Sequence, residues 1–127
     1  MIREHIFMGS SNVESARYNQ ENKTLDVWFK KGAPYRYFYI TEKKFEMWMV
    51  AESAGGFLSK EIARRHEHPC VRLACGFCAE VLDLTEPFNI YKLVDGTLRA
   101  YHPKCSSTIN AQLFNPEELL DSKPIPT

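Results

Sequence analysis

The residues best equipped for chemistry are three of the four cysteines and one of the four histidines. Cys75-Gly76-Phe77-Cys78 and His102-Pro103-Lys104-Cys105 each set two metal-binding side chains three positions apart. A Cys-x-x-Cys turn brings two sulfurs within a few ångströms, with backbone amides aimed at them, and Gly76 is expected to relieve the strain of that turn. A His-x-x-Cys pair on the first turn of a helix brings two more ligands onto one face. Three thiolates and an imidazole suit one tetrahedral Zn2+. Four protein ligands leave no position for water, so the expected site is closed and structural. The predicted ligand set is Cys75, Cys78, His102 and Cys105. Cys70 is left over and reads as a buried thiol. His66 and His68 read as solvated linker residues, because neither completes a second cluster. There is no convincing pair of carboxylates, Ser/His/Asp set or glycine-rich phosphate loop, and His5 has no evident partner. No catalytic residue is predicted, and the expectation is a protein that is not an enzyme.

These ligands must be carried by a small scaffold. The 127 residues are enough for one ordinary domain or two very small ones. Hydrophobic content of 44% and charged content of 25% mark a globular chain. No apolar run approaches a membrane span, and Arg3 and Glu4 interrupt any signal-like start, so a cytoplasmic setting without a membrane partner is expected. In that reducing setting the cysteines point to metal rather than to disulfides. Sixteen basic and sixteen acidic residues give zero formal net charge, so the total does not indicate a strongly basic nucleic-acid binder.

Two units are predicted, 1–68 and 69–115, followed by 116–127 as a short helix or flexible tail, with a joint near His66-Glu67-His68-Pro69. The expected fold class is α+β: a three-stranded antiparallel meander with one or two helices, then a zinc treble clef. In the first unit, 13–18, 24–30 and 35–40 read as strands, the second alternating Leu25, Val27 and Phe29 against Asp26, Trp28 and Lys30. Thr41 reads as a helix N-cap, Phe45, Trp48 and Met49 as the buried face, and Gly55-Gly56 as the helix end. Leu58 and Ile62 face inward in a second short helix, with Lys60, Arg64 and Arg65 outward. In the second unit, Asp95-Gly96 suits the type I′ turn of a hairpin, and a helix is expected from His102 towards Phe114.

The knuckle Cys75-Gly76-Phe77-Cys78 with Tyr101-His102-Pro103-Lys104-Cys105 resembles one half of a LIM domain or a poly(ADP-ribose)-polymerase-type zinc finger. The similarity covers the ligand pairs alone, since a second zinc half is lacking. In the first unit, Ser10-Ser11-Asn12-Val13, Tyr18-Asn19, Leu25-Asp26-Val27-Trp28-Phe29, Gly32, Tyr35-Arg36-Tyr37-Phe38, Phe45, Ala54-Gly55-Gly56-Phe57-Leu58 and Ile62 together resemble a KTSC domain. That family occurs at the C-terminus of some lysyl-tRNA synthetases and as a lone domain in bacterial and phage proteins, and the resemblance implies such a source. Thr41 and Ser59 depart from the family's usual proline and asparagine. The resemblance also implies RNA binding as one role open to the chain.

A physical basis for that role would be an aromatic sheet face. Trp28 lies opposite Leu25, Val27 and Phe29, and Tyr35 and Tyr37 would join it if the register allows, with Arg36 alongside. Lys60, Arg64 and Arg65, with Arg72, form a second basic stretch. Base stacking on such aromatics contributes ~1–3 kcal/mol per base. The tyrosines equally suit a packed core, and one residue of slip in register exchanges the two readings. Three functions therefore stand: binding of RNA or single-stranded DNA, a protein-interaction adaptor built on the zinc unit, and a metal-dependent nuclease, which the closed site argues against.

Overall fold

Alternating apolar and polar residues build the first sheet in the computed structural model, which describes residues 1–106 and 111–116. Its strands are β1 (Ile2–Ile6), β2 (Val13–Asn19), β3 (Thr24–Phe29), β4 (Tyr35–Tyr37) and β5 (Cys70–Arg72). They pair antiparallel in the order β1-β2-β3-β4-β5. The sheet thus has five strands rather than the expected three, one added at each edge. β1 gave little sequence signal because four of its five residues are exposed. β2 breaks strict alternation: Val13 and Ala16 are both buried, and a bulge between Val13 and Ser15 absorbs the extra residue.

One face of this sheet is covered by α1 (Glu42–Met49) and by α2 (Ala54–Phe57), which continues as a π-helical turn over Leu58–Ala63. Thr41 caps α1 as expected, its hydroxyl accepting from Lys44 N at 3.1 Å. Phe45 and Trp48 point into a core with Tyr18, Leu25, Val27, Tyr37, Ile40 and Ile62. Tyr18 stacks on Phe45 at 4.7 Å between centroids and donates to Ile40 O at 2.6 Å. Gly55-Gly56 does not end α1, which stops at Val50; the pair opens α2, with Ser53 accepting from Gly56 N at 3.0 Å. A side chain at Gly55 would place its Cβ 2.6 Å from Asn12 Oδ1, so packing against the 10–13 loop explains the small residue there.

The second sheet comprises β6 (Asn89–Lys92), β7 (Leu98–Tyr101) and β8 (Gln112–Leu113), ordered β7-β6-β8. The predicted hairpin is present, but its turn is not type I′. Of the Asp95-Gly96 pair only Gly96 has positive φ, +92°, whereas type I′ needs both. Gly96 N donates to Leu93 O and Leu93 N to Thr97 O, both at 2.9 Å, so the loop is one residue longer at the turn. The expected helix from His102 towards Phe114 is also corrected. Among the described residues it is a single 3-10 turn, Pro103–Cys105, and Gln112–Leu113 is a strand. Pairing with β6 and the seat of Phe114 against Phe38, 5.2 Å between centroids, hold that segment extended. Residues 107–110 and the 117–127 part of the expected tail lie outside the described residues.

Strand pairing continues across the predicted joint. Just beyond it β5 joins the first sheet through β4, and Leu73 N donates to Pro34 O at 2.8 Å. Phe38, from the first unit, sits in the second core with Val71, Leu73, Leu82, Ala100 and Tyr101. His66 is exposed as expected, but His68 is buried, 5% exposed. Its Nδ1 lies 3.1 Å from Phe38 O and its Nε2 3.0 Å from Lys44 Nζ. The carbonyl can only accept, so Nδ1 carries the proton and the lysine donates to Nε2. Burial lowers the His68 pKa, and the Lys44 charge acts the same way against the hydrogen bond to Phe38. No helix among the described residues is long and apolar enough to cross a membrane.

Candidate metal centre and the groove beside it

The knuckle is set by backbone hydrogen bonds from both sides. Cys75 N donates to Glu80 O and Ala79 N to Cys75 O, at 2.8 and 2.9 Å, which closes the turn. Ala79 takes a positive φ of 68° to complete it. Gly76 N donates to Ala100 O at 2.8 Å, fastening the knuckle to β7. Gly76 itself does not need positive φ. Its reason is contact: a Cβ there would lie 2.8 Å from Tyr101 Cζ. His102 follows β7 directly, and the 3-10 turn brings Cys105 back beneath it, with Cys105 N donating to His102 O at 2.9 Å.

All four predicted ligands converge. One ligand atom from each of Cys75, Cys78, His102 and Cys105 lies within 4.8 Å of all the others. His102 Nδ1 is 3.4 Å from Cys78 Sγ and 3.8 Å from Cys105 Sγ. A tetrahedral zinc with ordinary bond lengths has N···S edges of about 3.6 Å and S···S edges of about 3.8 Å. The donor set therefore fits one metal ion, which would draw the widest pair in by roughly 1 Å. Burial alone would raise the Cys75 thiol, but backbone N–H groups of Cys78, His102 and Phe77 outweigh it and bring it down to about 6. Cys105 is pushed up to about 11, first by desolvation and then by the adjacent Cys75 and Cys78 sulfurs. A thiolate at Cys75 therefore works against a second one at Cys105. A divalent ion removes that conflict.

The predicted aromatic row is divided between the two sheet faces. Tyr35 pairs with Val27 and Tyr37 with Leu25, so both tyrosines share the helix side of the sheet. Tyr37 is buried and its phenol pKa is raised by that burial. Trp28 faces the other way, over a groove of about 650 Å3 that Glu4, Ile6, Glu14 and Arg17 also line. Arg36 is on Trp28's side but is committed. It makes two bonds to the buried Asp26, 2.7 and 3.0 Å, beneath the Phe88 ring at 5.4 Å. Lys60, Arg64 and Arg65 are exposed, and Arg65 pairs with Glu61 at 2.6 Å.

A second groove, about 570 Å3, runs between β5 and the knuckle and is lined by Tyr35, Cys70, Arg72, Cys75, Gly76 and Arg99 among others. Arg99 was not singled out from the sequence. Its only signal there was one cation in a short, otherwise apolar strand, and the groove is assembled from β5, the knuckle and the end of the hairpin, which lie apart in sequence.

The first sheet, its two covering helical segments and the Asn12–Gly55 contact can be compared with known folds. Residues 9–66 match the KTSC domain. That is a little under half of the chain. The crystal structure of a KTSC domain protein from Yersinia pestis superposes with a TM-score of 0.50 at 22% identity, covering 58% of this chain and all of that one. At that identity the likeness shows the fold. No curated protein matches the sequence. The KTSC match ends at 66, so the candidate metal cluster and the second groove both depend on residues beyond it.

Proposed function

We propose that this chain is a non-enzymatic binding protein braced by one structural zinc ion, and that its ligand is single-stranded nucleic acid, RNA or DNA. The observation that carries the reading is the convergence of Cys75, Cys78, His102 and Cys105 on one point. An ion held by four protein ligands has no open position for water or substrate, so it supports structure rather than catalysis. This also argues against a nuclease. Knuckle and hairpin supply two parts of a treble clef, and the small second core supplies the need for an ion. Exposed cations stand on both sides of the joint, Lys60 and Arg64 before it, Arg72 and Arg99 on strands beyond it. With zero net charge, attraction for phosphate has to be local.

The test is fluorescence anisotropy of a labelled single-stranded oligonucleotide across a salt series. The reading expects binding whose log affinity falls linearly with log salt. Absence of binding at low salt would transfer support to a second reading, a protein-interaction adaptor. One observation favours that alternative: the open face beside Trp28 carries exposed Ile2 and Ile6 with a Glu4–Arg17 pair at 3.6 Å. Mixed charge and apolar side chains there suit a peptide better than a phosphate backbone.

A further inference from the structure

We propose that the groove between β5 and the metal knuckle is a nucleotide subsite, in which Arg72 and Arg99 hold phosphate and the Tyr35 ring meets the base. The assignment rests on the reading of the chain as a nucleic-acid binder and moves the contact surface away from the Trp28 face. Its volume, about 570 Å3, lies within the range of small-ligand sites.

Charge separates this groove from its rivals. No aspartate or glutamate lines it among the described residues, whereas Arg72 and Arg99 both do and both are exposed. Asp95 feels the charge of Arg99, but its carboxylate is held at the hairpin turn by Thr97 and does not line the groove. The groove beneath Trp28 contains Glu4 and Glu14, that beside Phe88 contains Glu21 and Glu86, and that beside Trp48 contains Glu52. Each of those would repel a phosphate. Two guanidinium forks also match phosphate oxygens in a way that ammonium groups do not.

Tyr35 is already ordered. Its ring meets Phe29 edge-on at 6.1 Å and lies 6.3 Å from Tyr37 in near-parallel orientation, so little freedom is lost when a base stacks on it. The opposite wall is the knuckle itself, Cys75, Gly76 and Ala79. Filling the metal site fixes that wall, so metal and nucleotide favour one another's binding, by the same factor in each direction.

The deciding experiment uses the zinc-loaded full chain and a single-stranded oligonucleotide, comparing wild type, Arg72→Ala/Arg99→Ala and Lys60→Ala/Arg64→Ala. All four side chains are exposed, and zinc content with far-UV circular dichroism verifies that each variant is folded. The proposal expects the Arg72/Arg99 variant to bind more weakly on every sequence, with a salt slope smaller by about 1.4, two phosphate contacts at ~0.7 each. An unchanged slope in that variant, with the loss falling on Lys60/Arg64, overturns the subsite and leaves nucleic-acid binding standing. Failure of wild type to bind at low salt overturns both. Displacement of the oligonucleotide by polyglutamate at equal charge concentration overturns the nucleotide assignment in favour of an acidic protein partner.

Discussion

At the residue scale, two groups carry most of the chemistry that packing makes special. Gly76 is held flat against Tyr101, with no room for a methyl group. Gly76→Ala is expected to cost about 1–3 kcal/mol through overpacking, and because the same residue lies between two ligands it should also lower metal affinity. Competition against a chromogenic chelator reads the second effect and thermal unfolding the first. His68 is neutral in the fold, and its pKa is lowered from the usual 6.5. A depressed folded value means that the contribution of His68 is complete above pH 6.5 and is lost as pH falls through the lowered value. The groups facing it are Lys44, Glu67 and Arg65. Wild type is expected to lose stability between pH 7 and pH 5 more steeply than His68→Asn, whose amide can still donate to Phe38 O. Equal slopes in urea titrations of the two proteins would contradict this.

Among elements, the pairing of β4 with both β3 and β5 is what makes two sequence units into one framework. Arg36 and Asp26 face each other across β3 and β4, and Phe88 of the second unit covers the guanidinium. Asp26→Ala leaves a half-buried cation without its carboxylate and is expected to destabilise the chain by about 3 kcal/mol, the range for breaking a buried pair. The shift in urea midpoint measures it. Much of this was legible in the sequence. Alternation in 24–30 gave β3, Thr41 gave the start of α1, and the paired spacing of Cys75, Cys78, His102 and Cys105 gave the Cys/His cluster. What was hidden depended on contacts distant in sequence. β1 carries its information in backbone pairing with β2, not in side chains. The register of β4 put Tyr35 and Tyr37 on the core side, and no local pattern fixes a register. The 3-10 turn and β8 replaced a helix because β6 offered a free edge to Gln112–Leu113.

For the whole molecule, the question is how far the fold beyond residue 66 depends on an ion. Among the described residues the first core contains eleven buried residues, whereas the second contains seven, two of them the candidate ligand Cys75 and Phe38 from the first unit. A core of that size needs a further constraint to hold a hairpin and a knuckle together. Chelation is therefore expected to remove hydrogen-exchange protection across β6 and β7 while β2, β3 and α1 keep theirs. Uniform loss over both sheets would mean that β5 couples them into a single folding unit. The most direct measurement is elemental analysis of the purified chain under reducing conditions, beside Cys75→Ser. One zinc per chain, absent from the variant together with the protection of β6 and β7, is the predicted result. A wild-type chain that is fully folded, free of metal and unable to take up added zinc would contradict the brace on which the account is built.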